Sequence, residues 1–182
     1  MSISKNQLGK KLCKAASDGN VDIIKSCISQ GADVNYKDKQ NGFTPLHFAA
    51  LANQEAVVRI LLANNADVTI TSRNKSTILH RLCYNGHEKL DLARLFLELE
   101  SIDINARNNI DQSTALHYAC RLGQEEYAKL LIEYGASITM LDGESYLPVD
   151  IADLNRHFRL ARWLRQVNAN IDWRQKNMES NT

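Results

Sequence analysis

Between Thr44 and Thr69, apolar and polar positions form two short helical patterns set back to back. Leu46, Ala49 and Ala50 recur at the spacing of one helix face, until Asn53, a residue that tolerates the left-handed conformation closing a helix. Val57, Val58, Leu61 and Leu62 make a second stripe, ended by Asn64-Asn65. Thr44 can cap the first helix with its hydroxyl, and Pro45 at the first helical position gives up only an N–H that has no partner within the helix. Neither predicted helix is long enough to hold alone. The pair needs a copy of itself to pack on.

The copies are present. Leu12, Leu46, Leu79, Leu116 and Val149 occupy one position, spaced by 34, 33, 37 and 33 residues. Seven residues after each stands a helix stop, at Gly19, Asn53, Gly86, Gly123 and Arg156. A Thr-x-Leu-His tetrad appears as Thr44 to His47, Thr77 to His80 and Thr114 to His117. The far ends of the units read Gly31 to Asn35, Asn65 to Thr69, Ile102 to Asn105 and Gly135 to Thr139. From about Leu8 to Trp173 this pattern resembles the ankyrin repeat family, whose period is about 33 residues.

The resemblance implies an all-α repeat solenoid of five stacked helix-turn-helix repeats with short β-hairpin fingers. The repeats are expected at about 8–42, 43–75, 76–112, 113–145 and 146–173, between a frayed lead at 1–7 and a disordered tail at 174–182. It also implies that partners bind on a concave side made of finger tips and first helices. Carried onto this chain, the finger slots are Tyr36, Phe43, Arg73, Ile110, Met140 and Tyr146, and the first-helix slots are Leu51, Tyr84, Arg121 and Leu122. Tyr, Met and Arg are enriched at protein interfaces, which makes these ten the expected partner-binding residues. Asn35 and Asn105 fall at the finger position that asparaginyl hydroxylases accept in such repeats.

Along the chain, Lys5, Lys10, Lys11 and Lys14 face outward from the first helix, as suits a terminal repeat with one neighbour. Cys27 fills the slot of Leu61 and reads as a buried thiol. Asn41-Gly42 and Asp142-Gly143 are turn signals within the fingers. Tyr36 and Phe43 flank the first finger, either packed on the next one or open to a partner. Repeat three carries surplus residues in or just after a long apolar second helix containing Leu90, Leu92, Leu95, Phe96, Leu97 and Leu99. Repeat five puts Asp150 in the tetrad-histidine slot, and Arg156, Arg159, Arg162 and Arg165 give it a basic, capping character. Trp163 is expected to pack inward and Trp173 to lie near the finger position.

Composition narrows the function. A formal net charge of +1 argues against a dedicated nucleic-acid surface. No apolar run approaches a membrane span, and the polar start lacks the apolar core of a signal peptide. Four cysteines without close pairing suggest a reducing compartment, hence a cytoplasmic location; the sequence equally suits the nucleus or delivery into a host cell.

His80-x-x-Cys83 and His117-x-x-Cys120 imitate two halves of a zinc site. Each histidine is the tetrad histidine, which the resemblance makes structural, and each cysteine fills the small-residue slot of Ala50, so no metal is expected. No phosphate loop, nucleophile elbow or metalloprotease helix is present, so neither catalysis nor a cofactor is expected. The expected activity is that of an adapter binding another protein, monomeric when unbound. The alternatives are a regulatory or inhibitory subunit of an enzyme complex, or a microbial effector that captures a host protein.

Overall fold

Thr44, Thr77 and Thr114 each open a helix through the histidine three residues on. The threonine N–H donates to the ring Nδ1 at 3.3, 3.2 and 3.2 Å, and the hydroxyl lies 2.9 Å from the same atom in all three. Histidine thus takes the place of the glutamate in a capping box. The structure, a computed structural model, describes residues 4–84 and 90–179, with side chains through Ala169.

The described residues form helices α1 (Lys5–Asp18), α2 (Val21–Ser29), α3 (Pro45–Leu51), α4 (Glu55–Ala63), α5 (Ile78–Leu82), α6 (Leu90–Leu97), α7 (Ala115–Arg121), α8 (Glu125–Glu133), α9 (Pro148–Leu154) and α10 (Phe158–Glu179). They pair into five antiparallel hairpins. The first helices α1, α3, α5, α7 and α9 pack in one row, and second helices pack on one another behind them. This is an all-α repeat solenoid, as the sequence pattern predicts.

Left-handed residues punctuate every repeat. They stand between the helices of a pair at Gly19, Asn53, Gly123 and Arg156, after the second helix at Gly31, Asn65 and Gly135, and in the fingers at Gly42, Lys75, Gln112 and Ser145. The expected stop at Gly86 lies outside the described residues.

Leu46, Leu79 and Leu116 are at most 1% exposed, and the core continues through Val58, Leu61, Leu92, Phe96, Leu130 and Leu131. Cys27 is fully buried, as its slot implies. Polar groups tie the repeats together. His80 Nε2 donates to Ser113 O at 3.0 Å and His117 Nε2 to Tyr146 O at 3.2 Å. Asn35 Oδ1 accepts from the Asp67 N–H and Asn105 Oδ1 from the Ser137 N–H, both at 2.8 Å. The Tyr127 hydroxyl, 1% exposed, donates to Leu79 O at 3.0 Å and binds α8 to α5.

Several expectations need correction. The fingers contain no strand among the described residues. They are tight turns, each closed on itself by a backbone bond such as Asp38 N to Phe43 O at 2.8 Å. Each is linked to the next by another, such as Arg73 N to Asn41 O at 2.8 Å. In the fourth finger the left-handed residue is Ser145, not Gly143; a Cβ on Gly143 would lie 3.0 Å from Asp111 O, so this glycine serves close approach between fingers. The lead is ordered from Ser4, whose side chain caps α1. The expected long helix of repeat three lies partly outside the described residues; its described part, α6, runs from Leu90 and ends at Leu97. The helix α10 runs without a break through Asn168 to Glu179, so Trp173 and residues 175–179 are helical rather than finger and disordered tail.

Candidate protein-binding groove

The fingers stand beside the first helices, and the strip between them forms a groove. Its floor comes from positions two and five residues after Leu46, Leu79, Leu116 and Val149 of the first helices α3, α5, α7 and α9: Phe48 and Leu51, Arg81 and Tyr84, Tyr118 and Arg121, Ile151 and Leu154. Helical geometry brings these two positions, three residues apart, onto one face. Tyr84 and Leu154 are exposed there, whereas Tyr118 and Ile151, at 6% and 5% exposure, are packed into the core.

In the middle of the array the floor is an aromatic and cationic ladder. Phe43 stacks on His47 with ring centroids 5.4 Å apart and planes 7° apart, and meets Phe48 edge-on at 5.8 Å. The Arg81 guanidinium lies 4.9 Å above the Phe43 ring and 5.9 Å from Tyr84. Tyr84 meets Tyr118 edge-on at 5.8 Å, and the Arg121 guanidinium lies 5.3 Å over Tyr118. Arg121 is ion-paired to Asp111 of the third finger at 2.9 Å. Partial burial opposes the Asp111 carboxylate, but bonds involving Asn108, Arg121 and Ser113 hold its pKa below the ordinary value.

The ten expected partner residues divide into two groups. Tyr84 is 50% exposed, Ile110 65%, Leu122 37% and Tyr146 36%, all large apolar surfaces left uncovered. Leu51 and Met140 are half-buried. Tyr36 is half-buried too: its hydroxyl donates to Asn6 Oδ1 at 2.9 Å, and its ring lies where a Cβ on Gly9 would come within 2.3 Å. Arg73 reaches back to Lys39 O and Arg121 is committed to Asp111. Phe43 is the correction. At 8% exposure, under Arg81 and against His47, its ring belongs to the wall rather than to an open surface.

Arg81, Tyr118 and Leu154 are groove residues that the sequence reading passed over. Leu154 is 60% exposed and falls in the register of Leu51, Tyr84 and Arg121, so the spacing alone points to it. Arg81 shares the register of Phe48 and Tyr118, though nothing in the sequence marks its stacking on Phe43.

The site carries no reactive group. Burial lowers the pKa of His80 and His117 and takes His47 down to about 4, with Arg81 nearby adding to the shift at His47 and His80. Burial raises the thiol pKa of Cys83 and Cys120, and Cys83 Sγ donates to Leu79 O and Ala115 O at 3.3 Å. His80, His117 and these cysteines are therefore engaged in the packing, while His47 Nε2 is buried without a hydrogen-bond partner among the described residues. Among the described residues no cluster of three His, Cys, Asp or Glu side chains is poised for one.

Comparison with known sequences identifies the class. The family model for ankyrin repeats in three copies matches residues 4–72 and 66–142, and the chain belongs to the ankyrin repeat family. It is similar to SH3 and multiple ankyrin repeat domains protein 2 of Homo sapiens, 29% identical over 155 residues, covering 85% of this chain and 8% of that protein. It is also similar to Ankyrin repeat and SOCS box protein 11 of Danio rerio, 32% identical over 108 residues, covering 59% of this chain and 35% of that one. A probable serine/threonine-protein kinase of Dictyostelium discoideum is 26% identical over 204 residues, covering 89% of this chain but 24% of the kinase. The chain thus spans a minor part of each relative, and the kinase likeness is confined to a minor part of that protein. Ankyrin repeats are generally non-catalytic protein-interaction modules. No helix among the described residues is long and apolar enough to cross a membrane.

Proposed function

We propose that the chain is an adapter that binds another protein along the groove between its fingers and first helices. The observation that carries this reading is the run of uncovered apolar side chains, Tyr84, Ile110, Leu122, Tyr146 and Leu154, on surfaces that stacking does not use. Scattered apolar residues on a surface need no explanation, whereas a row along one groove marks an interaction site. The rigid Tyr84–Tyr118–Arg121 ladder supplies residue types that dominate binding energy at interfaces.

The test pairs stability with affinity for a captured partner. Tyr84→Ala leaves the melting temperature near that of the parent, because half of the side chain is already in water, and weakens binding by about 2 kcal/mol. Leu79→Ala and Leu116→Ala lower stability by about 2–5 kcal/mol each and leave the groove chemistry intact. A Tyr84→Ala protein that binds as well as the parent removes the centre of the proposed surface.

A further inference from the structure

The groove is electrically divided along its length. The first finger carries Lys37, Asp38 and Lys39, and the second carries Arg73 and Lys75. The third balances Arg107 against Asp111, and the fourth carries Asp142 and Glu144. The first helices follow the same trend: Lys10 and Lys14 on α1 and Arg81 on α5, but Asp150 and Asp153 on α9. At these finger and first-helix positions alone, basic residues prevail in repeats one to three and acidic residues in repeats four and five, although the second helix of repeat five carries four arginines.

Several of the cations are already occupied. Arg121 is paired with Asp111, Lys14 with Asp18, and Arg165 with Asp153. Arg73 and Arg107 donate to carbonyls of neighbouring fingers, at Lys39 O and Leu141 O. Arg81 differs. Its guanidinium is held by the Phe43 and Tyr84 rings, it makes no ion pair among the described residues, and its Nε is buried without a hydrogen-bond partner. Two aromatic faces hold this cation, and no carboxylate among the described residues neutralises it. Lys10, Lys39 and Lys75 are exposed without ion pairs among the described residues.

Beside this charge lies an apolar hollow of about 350 Å³ between α1, the first finger and α3. Cys13, Tyr36 and Phe48 give it its apolar lining. Lys10, Lys14, Ser17, Asp18 and Asp38 complete it, with Asp18 paired to Lys14 and Asp38 turned to backbone N–H groups of its own finger. Adjacent packed helices lie about 9 Å apart, which puts the hollow roughly 14 Å from the α5 row. An extended chain covers that span in roughly four residues.

We propose that the basic half of the groove docks an extended acidic segment of the partner protein, with an aspartate or glutamate on the Arg81 guanidinium and an apolar side chain about four residues away in the hollow lined by Cys13, Tyr36 and Phe48. The proposal rests on the groove being the binding surface and names what the groove recognises. A carboxylate supplies the planar acceptor pair that a fixed guanidinium matches. The acidic half then sets direction, since the exposed Glu144 and the half-buried Asp150 repel the acidic end of a segment laid the wrong way, whereas Asp142 is buried in its finger and Asp153 is paired with Arg165. The same acidic half opposes a nucleic-acid backbone, which needs positive charge along its whole track.

The experiment is a selection from a randomised display library of extended peptides against the whole chain. Enriched sequences are then made as fluorescein-labelled peptides and their affinities read by anisotropy at low and high salt. The expected consensus has Asp or Glu separated by about four residues from Leu, Ile, Met or Phe. Arg81→Gln, and the peptide's own acid changed to its amide, each weaken binding about tenfold, and the two changes together weaken it little further. The exposed pair Lys10→Gln and Lys75→Gln lowers the salt dependence without touching the packing, and so tests the charge even if Arg81→Gln melts early. Glu144→Gln leaves affinity unchanged or raises it. Enriched peptides that are neutral or basic yet lose binding to Tyr84→Ala keep the groove and overturn the acidic segment. Acidic peptides indifferent to every groove substitution overturn both readings. A selection that returns no binder, or a single-stranded oligonucleotide that binds as tightly as the acidic peptides, overturns the proposal.

Discussion

Acidification from about pH 7.5 to about pH 5 strips stability from this fold through the tetrad histidines. His47 is fully buried and stacked on Phe43, and burial, with Arg81 and Lys37 close by, lowers its pKa to about 4. In the unfolded chain the ring returns to about 6.5. A base whose pKa is depressed in the fold binds fewer protons folded than unfolded, so stability rises with pH. The stabilisation is complete above about pH 6.5 and is lost as the pH falls toward about 4. For His47 alone, linkage between those two pKa values removes about 2 kcal/mol by pH 5. His80 and His117 are shifted in the same direction, chiefly by burial and against the pull of their bonds to Ser113 O and Tyr146 O, and they add to the loss. Asp38, Asp67 and Asp111 have pKa values lowered from about 3.8, so their contributions disappear only below that pH and do not blur the window.

The assay is urea unfolding followed by far-ultraviolet circular dichroism at four pH values across the window. A domain of this kind is held by a total of only about 5–15 kcal/mol, so a fall of at least about 2 kcal/mol moves the midpoint visibly. A titration of the imidazole resonances supplies the independent check. A midpoint that stays put from pH 7.5 to 5, or a His47 ring that titrates above pH 6 in the folded protein, refutes the reasoning.

Three further outcomes follow from the packing. Tyr127→Phe removes the hydroxyl bond from α8 to Leu79 O and lowers stability by about 1 kcal/mol without a change in helical signal, measured by thermal melting. Arg156, left-handed at φ 63° in the slot where Gly19 and Gly123 stand, is strained by its Cβ, so Arg156→Gly raises the melting free energy by up to about 1 kcal/mol. Asn35→Ala frees the Asp67 N–H and costs about 1 kcal/mol in the same melts, whereas hydroxylated Asn35 or Asn105, detected by mass spectrometry after incubation with an asparaginyl hydroxylase, establishes those sites as substrates.

How much of this was legible in the sequence depended on how far each decision lies from its residue. Helix positions, caps and left-handed stops are settled within a few residues. Thr44, Asn53 and the buried Leu46, Leu79 and Leu116 are therefore where the pattern puts them. Arg156 shows that the stop holds even without glycine or asparagine. Phe43 was misjudged because its cover comes from Arg81, on the next repeat's first helix. The end of repeat five was misjudged for a related reason. Asn35 and Asn105 anchor their loops to the following repeat. Asn168, in the slot of Gly135, has no later repeat among the described residues to hold such a loop. Continuing α10 satisfies the backbone locally instead.

The same distance rule explains why charge in the groove could not be read by counting. Arg73, Arg81, Arg107 and Arg121 are four guanidiniums near one surface, and the sequence gives no ground for ranking them. Three are spent by neighbours: Arg73 and Arg107 on carbonyls of adjacent fingers, and Arg121 on Asp111. Arg81 is the one that the fold orients between aromatic rings and leaves without an ion pair among the described residues. An interface residue is worth most when it is rigid before binding and its charge is not already neutralised. By that criterion Tyr84, ordered against Tyr118 yet half exposed, and Arg81, ordered against Phe43 yet unpaired, are the two positions where a partner gains most. Arg121 is ordered equally well, but a partner must first compete with Asp111 for it, so Arg121→Ala should weaken binding less than Arg81→Gln does.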